Sequence, residues 1–374
     1  MHSCYIEINR DALRHNFRQV KKLVGDSTQI IAVVKSNAYG HGAAEASRVF
    51  AQEGAQMLAV TRLEEAIELR DANIETPVLL LAPPLPHQEN EAVARDLTCC
   101  VSCLDDARRL SVAAVAQNKR VLVQLKINSG MGRLGVEVED ALQAAQEISS
   151  LPSLQLNAVW THFAFAGERD PSSTRSAFAS FQKTAQQIEK ATGIGDFHCA
   201  NSSATLRFPE TRLGCVRPGT VLYGQFPSDE ARQAAKGQIE LRDGFKVCAR
   251  VLAIREIKAG QTVGYGGEWR ASKPTRIATI AIGWADGLTL SPDARTPDAR
   301  RSLISALKSI VRKPARYVTF NAQRAPIIGR IAMQQTSVDV SQLPQISVGD
   351  AVVVPMRRLS ASALLPRVYV DDEQ

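Results

Sequence analysis

Eight short apolar runs, spread over roughly the first 225 residues and separated by longer amphipathic stretches, constrain this chain more than any other feature. They are Gln29–Val34, Met57–Val60, Pro77–Leu81, Leu97–Val101, Val121–Ile127, Leu156–Trp160, Phe197–Ala200 and Gly214–Val216. The runs are continuous rather than alternating, as parallel strands buried on both faces should be. Between them, Asp11–Val24, Leu63–Ala72, Asp105–Gln117, Val138–Ile148 and Ser172–Ala191 carry the helical period. In Arg62–Arg70, for instance, Glu64, Glu65 and Glu68 lie opposite Leu63, Ile67 and Leu69. Repeated strand–helix alternation predicts an α/β fold, an N-terminal (β/α)8 barrel of the TIM type.

After about residue 230 the texture changes. Phe245–Ile257, Arg276–Trp284, Arg316–Phe320, Pro326–Met333, Ser337–Val340 and Ala351–Val354 read as strands separated by Gly, Pro and Asp turns. Helical periodicity is weak there apart from Arg300–Val311. The expected organisation is a barrel over 1–228 and a mostly antiparallel β domain over 229–374, the first few residues being able to pair with the latter. A length of 374 residues suits two domains at roughly 100–200 residues each.

Composition excludes several classes. With 45% hydrophobic and 22% charged residues the chain is neither disordered nor fibrous. No apolar run reaches the roughly 18–20 residues of a membrane span, and no basic region leads into an apolar stretch at the N-terminus, so a soluble cytoplasmic protein is expected. The net charge of +7 owes much to Arg295–Arg324, which reads as a solvated connection rather than a nucleic-acid or membrane patch. The cysteine count of seven is odd and suggests reduced thiols, and the Cys100–Cys103 pair has no partner at zinc-ribbon spacing. His2, His15, His41 and His87 show no ligand spacing, so no metal site is expected.

Lys35 ends the run Ile30–Val34. A charged, unpaired lysine there would cost several kcal/mol, so such a residue is either ion-paired or has a lowered pKa suited to imine chemistry. Strand C-termini are where this barrel keeps its catalytic groups.

The run from Ala32 to Gly42, AVVKSNAYGHG, resembles the cofactor-lysine motif of the alanine racemases, fold-type III pyridoxal-phosphate enzymes. Similar blocks follow in family order: Ile127–Gly135, Trp160–Ala164, His198–Ser203, Val216–Gly224, Val263–Gly267, Ile282–Gly287, Gly329–Met333 and Leu365–Val370. They span both predicted domains. The resemblance implies racemisation of L- and D-alanine with pyridoxal 5'-phosphate, supplying D-alanine for peptidoglycan, in a homodimer with shared active sites. It implies that Lys35 holds the cofactor and serves one face of the substrate, while Tyr265 of the partner subunit serves the other. His162 would lie beside that tyrosine and link toward Arg217, which would face the pyridine nitrogen and keep it unprotonated. Tyr39, Ser202, Gly219 and Thr220 would hold the phosphate, with Ser202 and Gly219 following the seventh and eighth strands, where this fold often binds one. His198 and Asn201 would pack near the ring. Arg133 and Met333 would contact substrate, and Lys126 matches a lysine often carbamylated in the family; the unmodified amine is equally open.

Three departures from the family pattern cluster where they bear on substrate choice. Trp284 stands where tyrosine is usual, Gln334 where aspartate is usual, and Ala363 where a gate tyrosine is expected. A segment usual near Arg358 is missing, and Pro292–Ala315 is an insertion. A wider mouth admitting serine or larger amino acids is one reading; refilling by Arg357, Arg358 or the insertion is the other. A pyridoxal-phosphate-binding barrel without racemase activity would lack the β domain and Tyr265. A related decarboxylase would carry a C-terminal cysteine–aspartate motif and a glycine-rich phosphate loop, neither of which is recognisable.

Overall fold

The computed structural model describes residues 2–290 and 316–372. The helical pattern Arg300–Val311, the inserted stretch Pro292–Ala315 and all of the basic stretch Arg295–Arg324 before Arg316 therefore lie outside the described residues, while Arg316 and Arg324 are exposed. The chain forms two compact units, Arg10–Gly244 and a second in which the first nine residues join the chain from Phe245 onward.

Strand β1 (Cys4–Asn9) belongs to the second unit. The first contains β2 (Gln29–Val33), β3 (Met57–Val60), β4 (Val78–Leu80), β5 (Thr98–Val101), β6 (Val121–Asn128), β7 (Val136–Glu137), β8 (Leu154–Trp160), β9 (Phe197–Asn201) and β10 (Cys215–Arg217). Their order is β5-β4-β3-β2-β10-β9-β8-β6, all parallel, and β5 pairs with β6 to close the barrel, leaving β7 as a short extra edge. Every predicted run is a barrel strand. Ile31, Val33, Ala59 and Leu79 form one buried core cluster, packed between β2, β3 and β4.

The helices form where the apolar spacing is three to four. Arg10–Val24 buries Leu13, Phe17, Val20 and Val24 along one face. Ser172–Thr192 buries Phe178, Phe181, Ala185 and Ile188, and ends at Gly193, whose N–H closes on the Glu189 carbonyl at 2.8 Å.

The barrel unit extends beyond the change of sequence texture near residue 228. Ser228 Oγ accepts the Ala231 N–H at 3.1 Å and caps the helix Asp229–Ala234. The segment after it is tied back by buried Asn16, which accepts from Arg242 N at 2.8 Å and donates to Arg242 O at 2.9 Å and Leu222 O at 3.3 Å. These residues carry no strand or core signal, so hydrophobicity alone did not attach them to the barrel.

The second unit contains β11 (Phe245–Ile257), β12 (Thr262–Val263), β13 (Trp269–Arg270), β14 (Thr275–Ile280), β15 (Tyr317–Phe320), β16 (Gln323–Ile328), β17 (Thr336–Asp339), β18 (Ala351–Val354) and β19 (Arg367–Val370). Its main sheet runs β14-β17-β16-β15-β18-β11-β1-β19, with β14 also pairing back onto β11. The pairings are antiparallel except β1 with β19. Two predicted strands are shorter than expected. The chain leaves β14 at Ile280, and Trp284 and Ala285 donate their N–H groups to Ala332 O (3.1 Å) and Met333 O (3.0 Å). That pairing replaces the ends of both predicted runs.

Gly224 has φ 80°, and a Cβ on it would stand 2.1 Å from the Arg242 carbonyl oxygen. Gly224→Ala is expected to lower stability by about 2–4 kcal/mol in urea unfolding, since strain and backbone clash combine. An unchanged midpoint would contradict this account of how 229–244 is held.

Candidate active site

Parallel strands leave their C-terminal ends on one rim of the barrel, and the side chains there surround a cavity of about 410 Å³. Its wall brings together Lys35, Tyr39, Lys126, Arg133, His162, Asn201, Ser202, Arg217, Gly219 and Thr220, residues from five strand ends. Three expected site residues are not in that wall. His198 is buried behind it, bonded to Arg217, and Tyr265 and Met333 belong to the second unit.

Lys35 leaves β2 through an unusual turn. Ser36, Asn37, Ala38 and Tyr39 all have φ between 51° and 54°, a left-handed turn without glycine. Such a turn costs roughly 1–2 kcal/mol per residue, so it persists only where its surroundings hold it. Ser36 N–H donates to Glu65 Oε1, and Glu65 Oε2 accepts from Thr61 N (2.9 Å) and Arg62 N (3.0 Å). Asn37 Oδ1 accepts from Ala43 N at 2.7 Å. The Tyr39 ring packs on Tyr223 at 4.9 Å, and Tyr223 Oη donates to Val33 O at 2.9 Å. The turn thus projects Lys35 and Tyr39 from adjoining positions into one cavity.

The strand register aligns the rest. Lys126 on β6 is opposite Trp160 on β8, which is opposite His198 on β9. Lys126 Nζ lies 4.5 Å and the Arg217 guanidinium 4.6 Å from the Trp160 ring centroid, and His198 stacks on that ring at 5.9 Å. Arg217, 3% exposed, donates to His198 Nδ1 at 2.6 Å and to the carbonyls of Thr161 and Cys199.

On the opposite wall Ser202 Oγ accepts the Gly219 N–H at 2.8 Å. A Cβ at position 219 would stand 2.5 Å from Tyr39 Oη, so only glycine lets the phenol lie against the backbone there. The Tyr39 hydroxyl is bonded to Thr220, and burial raises its pKa, keeping it protonated.

Four cations, Lys35, Lys126, Arg133 and Arg217, line the cavity, and among the described lining residues there is no Asp or Glu. Burial, then Arg133, lowers the Lys35 pKa. Burial is also the first cause at Lys126, which is brought down to about 8 with help from Arg133 and Arg217. His162 is pushed to about 3 by burial and then by Arg217, so it is a neutral hydrogen-bonding group at ordinary pH. A cavity so charged suits an anionic ligand, and the downward shifts favour the neutral, nucleophilic form of its two amines.

In the second unit Tyr265 is 69% exposed, on a turn with Gly264, Gly266 and Gly267 at positive φ. The backbone pairing of 284–285 with 332–333 brings Trp284 beside Met333, both exposed. Gln334 and Ala363 are exposed too. All seven cysteines are free thiols, and among the described residues no cluster of three or more His, Cys, Asp or Glu could hold a metal. Among them, too, no helix is long and apolar enough to cross a membrane.

Sequence reasoning overlooked Glu65, Trp160 and Gln124. Glu65 looked like an ordinary solvated helix carboxylate. The one available signal for Gln124 was an amide inside the apolar run Val121–Ile127.

The fold and the cavity together define a two-domain barrel protein with a lysine amine facing a cation-rich cavity. The chain matches the family models described as alanine racemase, N-terminal domain, over residues 8–227, and alanine racemase, C-terminal domain, over 245–364. It is 36% identical over 352 residues to an alanine racemase of Desulforamulus reducens, covering 94% of this chain and 89% of that one. The solved alanine racemase of Clostridium difficile superposes with a TM-score of 0.88 at 28% identity, covering 100% of this chain and 97% of the other. That of Streptomyces lavendulae gives 0.81 at 29% identity, covering 99% and 97%. The chain belongs to the alanine racemase family, and its class is that of the racemases, which are isomerases.

Glu65→Ala removes the acceptor for three backbone N–H groups and is expected to lower stability by about 1–3 kcal/mol in chemical denaturation. A loss below about 0.5 kcal/mol, the size of an ordinary surface substitution, would mean the left-handed turn does not depend on that carboxylate.

Proposed function

We propose that this chain racemises alanine with pyridoxal 5'-phosphate bound in the Lys35 cavity, by a two-base mechanism completed by Tyr265 of a second copy. The observation that carries the reading is the pairing of a lysine of lowered pKa with a cation-rich wall free of described carboxylates.

The cavity fits the cofactor's chemistry. Ser202, Thr220 and Tyr39 offer hydroxyl groups for a phosphate, and the missing Cβ at Gly219 lets the Tyr39 phenol reach that corner. Arg217 would supply a positive charge for the ring nitrogen, and Asn201 and Arg133, which line the same cavity, would be available to the rest of the ring. When bound, pyridoxal phosphate withdraws the electron pair left at the substrate Cα. The Arg217 charge would oppose protonation of a ring nitrogen beside it and so moderate that withdrawal.

Lys35 would hold the cofactor through Nζ, and its amine is placed to take or return the Cα proton on one face of the substrate. Its lowered pKa brings it nearer the working pH, as an effective base requires. Tyr265 serves the opposite face, and neutral His162 stands ready to accept its hydroxyl proton in a hydrogen bond. Arg133 and Met333 contact the substrate. On this reading the enzyme is a cytoplasmic homodimer that supplies D-alanine for peptidoglycan.

Lys126, with a pKa of about 8, has a substantial neutral fraction near that pH, as addition of CO2 requires. A carbamate there would turn one of the cations into an anion that pairs with Arg133. Its occupancy should rise with bicarbonate and as pH rises through about 8. A carbamate signal in ¹³C-bicarbonate that persists in Lys126→Ala would place the modification elsewhere.

Lys35→Ala is expected to abolish both the visible absorption of bound cofactor and turnover. Tyr265→Phe should keep the absorption and lose Cα proton exchange from one enantiomer. Undiminished exchange from both enantiomers would overturn the two-base assignment.

Trp284, exposed beside Met333 where the family usually carries tyrosine, favours a second reading with broader substrate choice. Comparing kcat/KM for L-alanine, L-serine, L-lysine and L-arginine decides between them. An alanine preference over serine beyond about a hundredfold exceeds what a pocket commonly gains against one added hydroxyl and would exclude the broader reading.

A further inference from the structure

Gln124 lies on β6 two residues before Lys126, so both side chains point to the same face of the strand. It is 3% exposed and makes one contact that organises the cavity floor, to His198. The protonation pattern along this contact follows from chemistry. A guanidinium has only donors, so His198 Nδ1, 2.6 Å from Arg217 Nη1, must be the acceptor. Burial holds His198 neutral, and a neutral imidazole accepting at Nδ1 carries its proton on Nε2. That proton meets Gln124 Oε1 at 3.1 Å, which fixes the orientation of the amide as well.

The other partners of Arg217 are also neutral: two carbonyls and the face of Trp160. The nearby thiols of Cys100, Cys199 and Cys215 are each pushed up to about 12 by burial and stay uncharged. Among the described residues no carboxylate pairs with Arg217, so its charge is presented to the cavity without local compensation.

We propose that Gln124 is a positioning residue for this site, acting through His198 to hold the Arg217 guanidinium in one orientation while adding no charge of its own. The consequence for turnover rests on the pyridoxal-phosphate reading above; the positioning itself does not. A glutamate at 124 would keep the acceptor and the shape but place a negative charge two hydrogen bonds from Arg217. A methionine would keep the approximate volume and leave the His198 Nε2–H without an acceptor.

The test compares wild type, Gln124→Glu and Gln124→Met in two readouts. In the protein before cofactor loading, ¹⁵N-imidazole spectra should show His198 as a single Nε2–H tautomer in wild type and Gln124→Glu, and as mixed or exchange-broadened states in Gln124→Met. After loading with pyridoxal phosphate, both variants should shift the visible absorption maximum. Both should also lower kcat about tenfold or more with KM changed less than about threefold, because a misplaced or partly compensated charge acts on the chemical step. Wild-type tautomer, absorption and kcat in both variants would overturn the proposal and leave Gln124 as core filling. If Gln124→Met fails to fold, an unshifted spectrum and undiminished kcat in Gln124→Glu overturn it alone. Wild-type protein that takes up no pyridoxal phosphate would sink the cofactor reading, while the tautomer spectra still decide the positioning role.

Discussion

The positive charge concentrated at the C-terminal rim of the barrel, with no described carboxylate to offset it, is the constraint on which the rest of the site depends. Burying an unpaired guanidinium such as Arg217 is costly, and proteins normally supply a counter-charge. Here the compensation comes from neutral groups: an imidazole nitrogen, two carbonyls and an indole face. The same field, added to burial, lowers the pKa values of Lys35, Lys126 and His162. One arrangement therefore lowers the pKa of two amines, keeps a histidine neutral and concentrates positive charge in one cavity.

The barrel scaffold was legible because buried parallel strands leave continuous apolar runs, and all eight runs became strands. The β domain was legible for the complementary reason, turn residues at short intervals between β-rich segments. What hydrophobicity could not reveal was attachment through polar groups. Asn16 ties Arg242 and its neighbours to the barrel, and Glu65 holds the turn after Lys35, yet neither residue stands out in a pattern of apolar positions. The site residues were legible chiefly through resemblance to a family. Spacing alone singled out Lys35 and left its partner open. His198, which that resemblance put near the cofactor ring, is bonded to Arg217 in the fold.

The left-handed turn at Ser36–Tyr39 illustrates how strain is tolerated where it serves geometry. Four residues in that conformation would be unstable alone, and they are held by a carboxylate, an asparagine and an aromatic stack. The result is a short path from strand end to phenol that places an amine and a hydroxyl on one wall. The second unit contributes differently. Its glycine-rich turn presents Tyr265 in the open, and the pairing of 284–285 with 332–333 brings the stretches carrying Trp284 and Gln334 together.

Two lysines of lowered pKa border the same cavity, and the account assigns the cofactor to one of them. Wild-type protein loaded with pyridoxal phosphate, reduced with borohydride and digested should carry the pyridoxyl group on the peptide containing Lys35, in amounts matching the loss of visible absorption. A label on the Lys126 peptide, or no retained label, would contradict the assignment of the two amines.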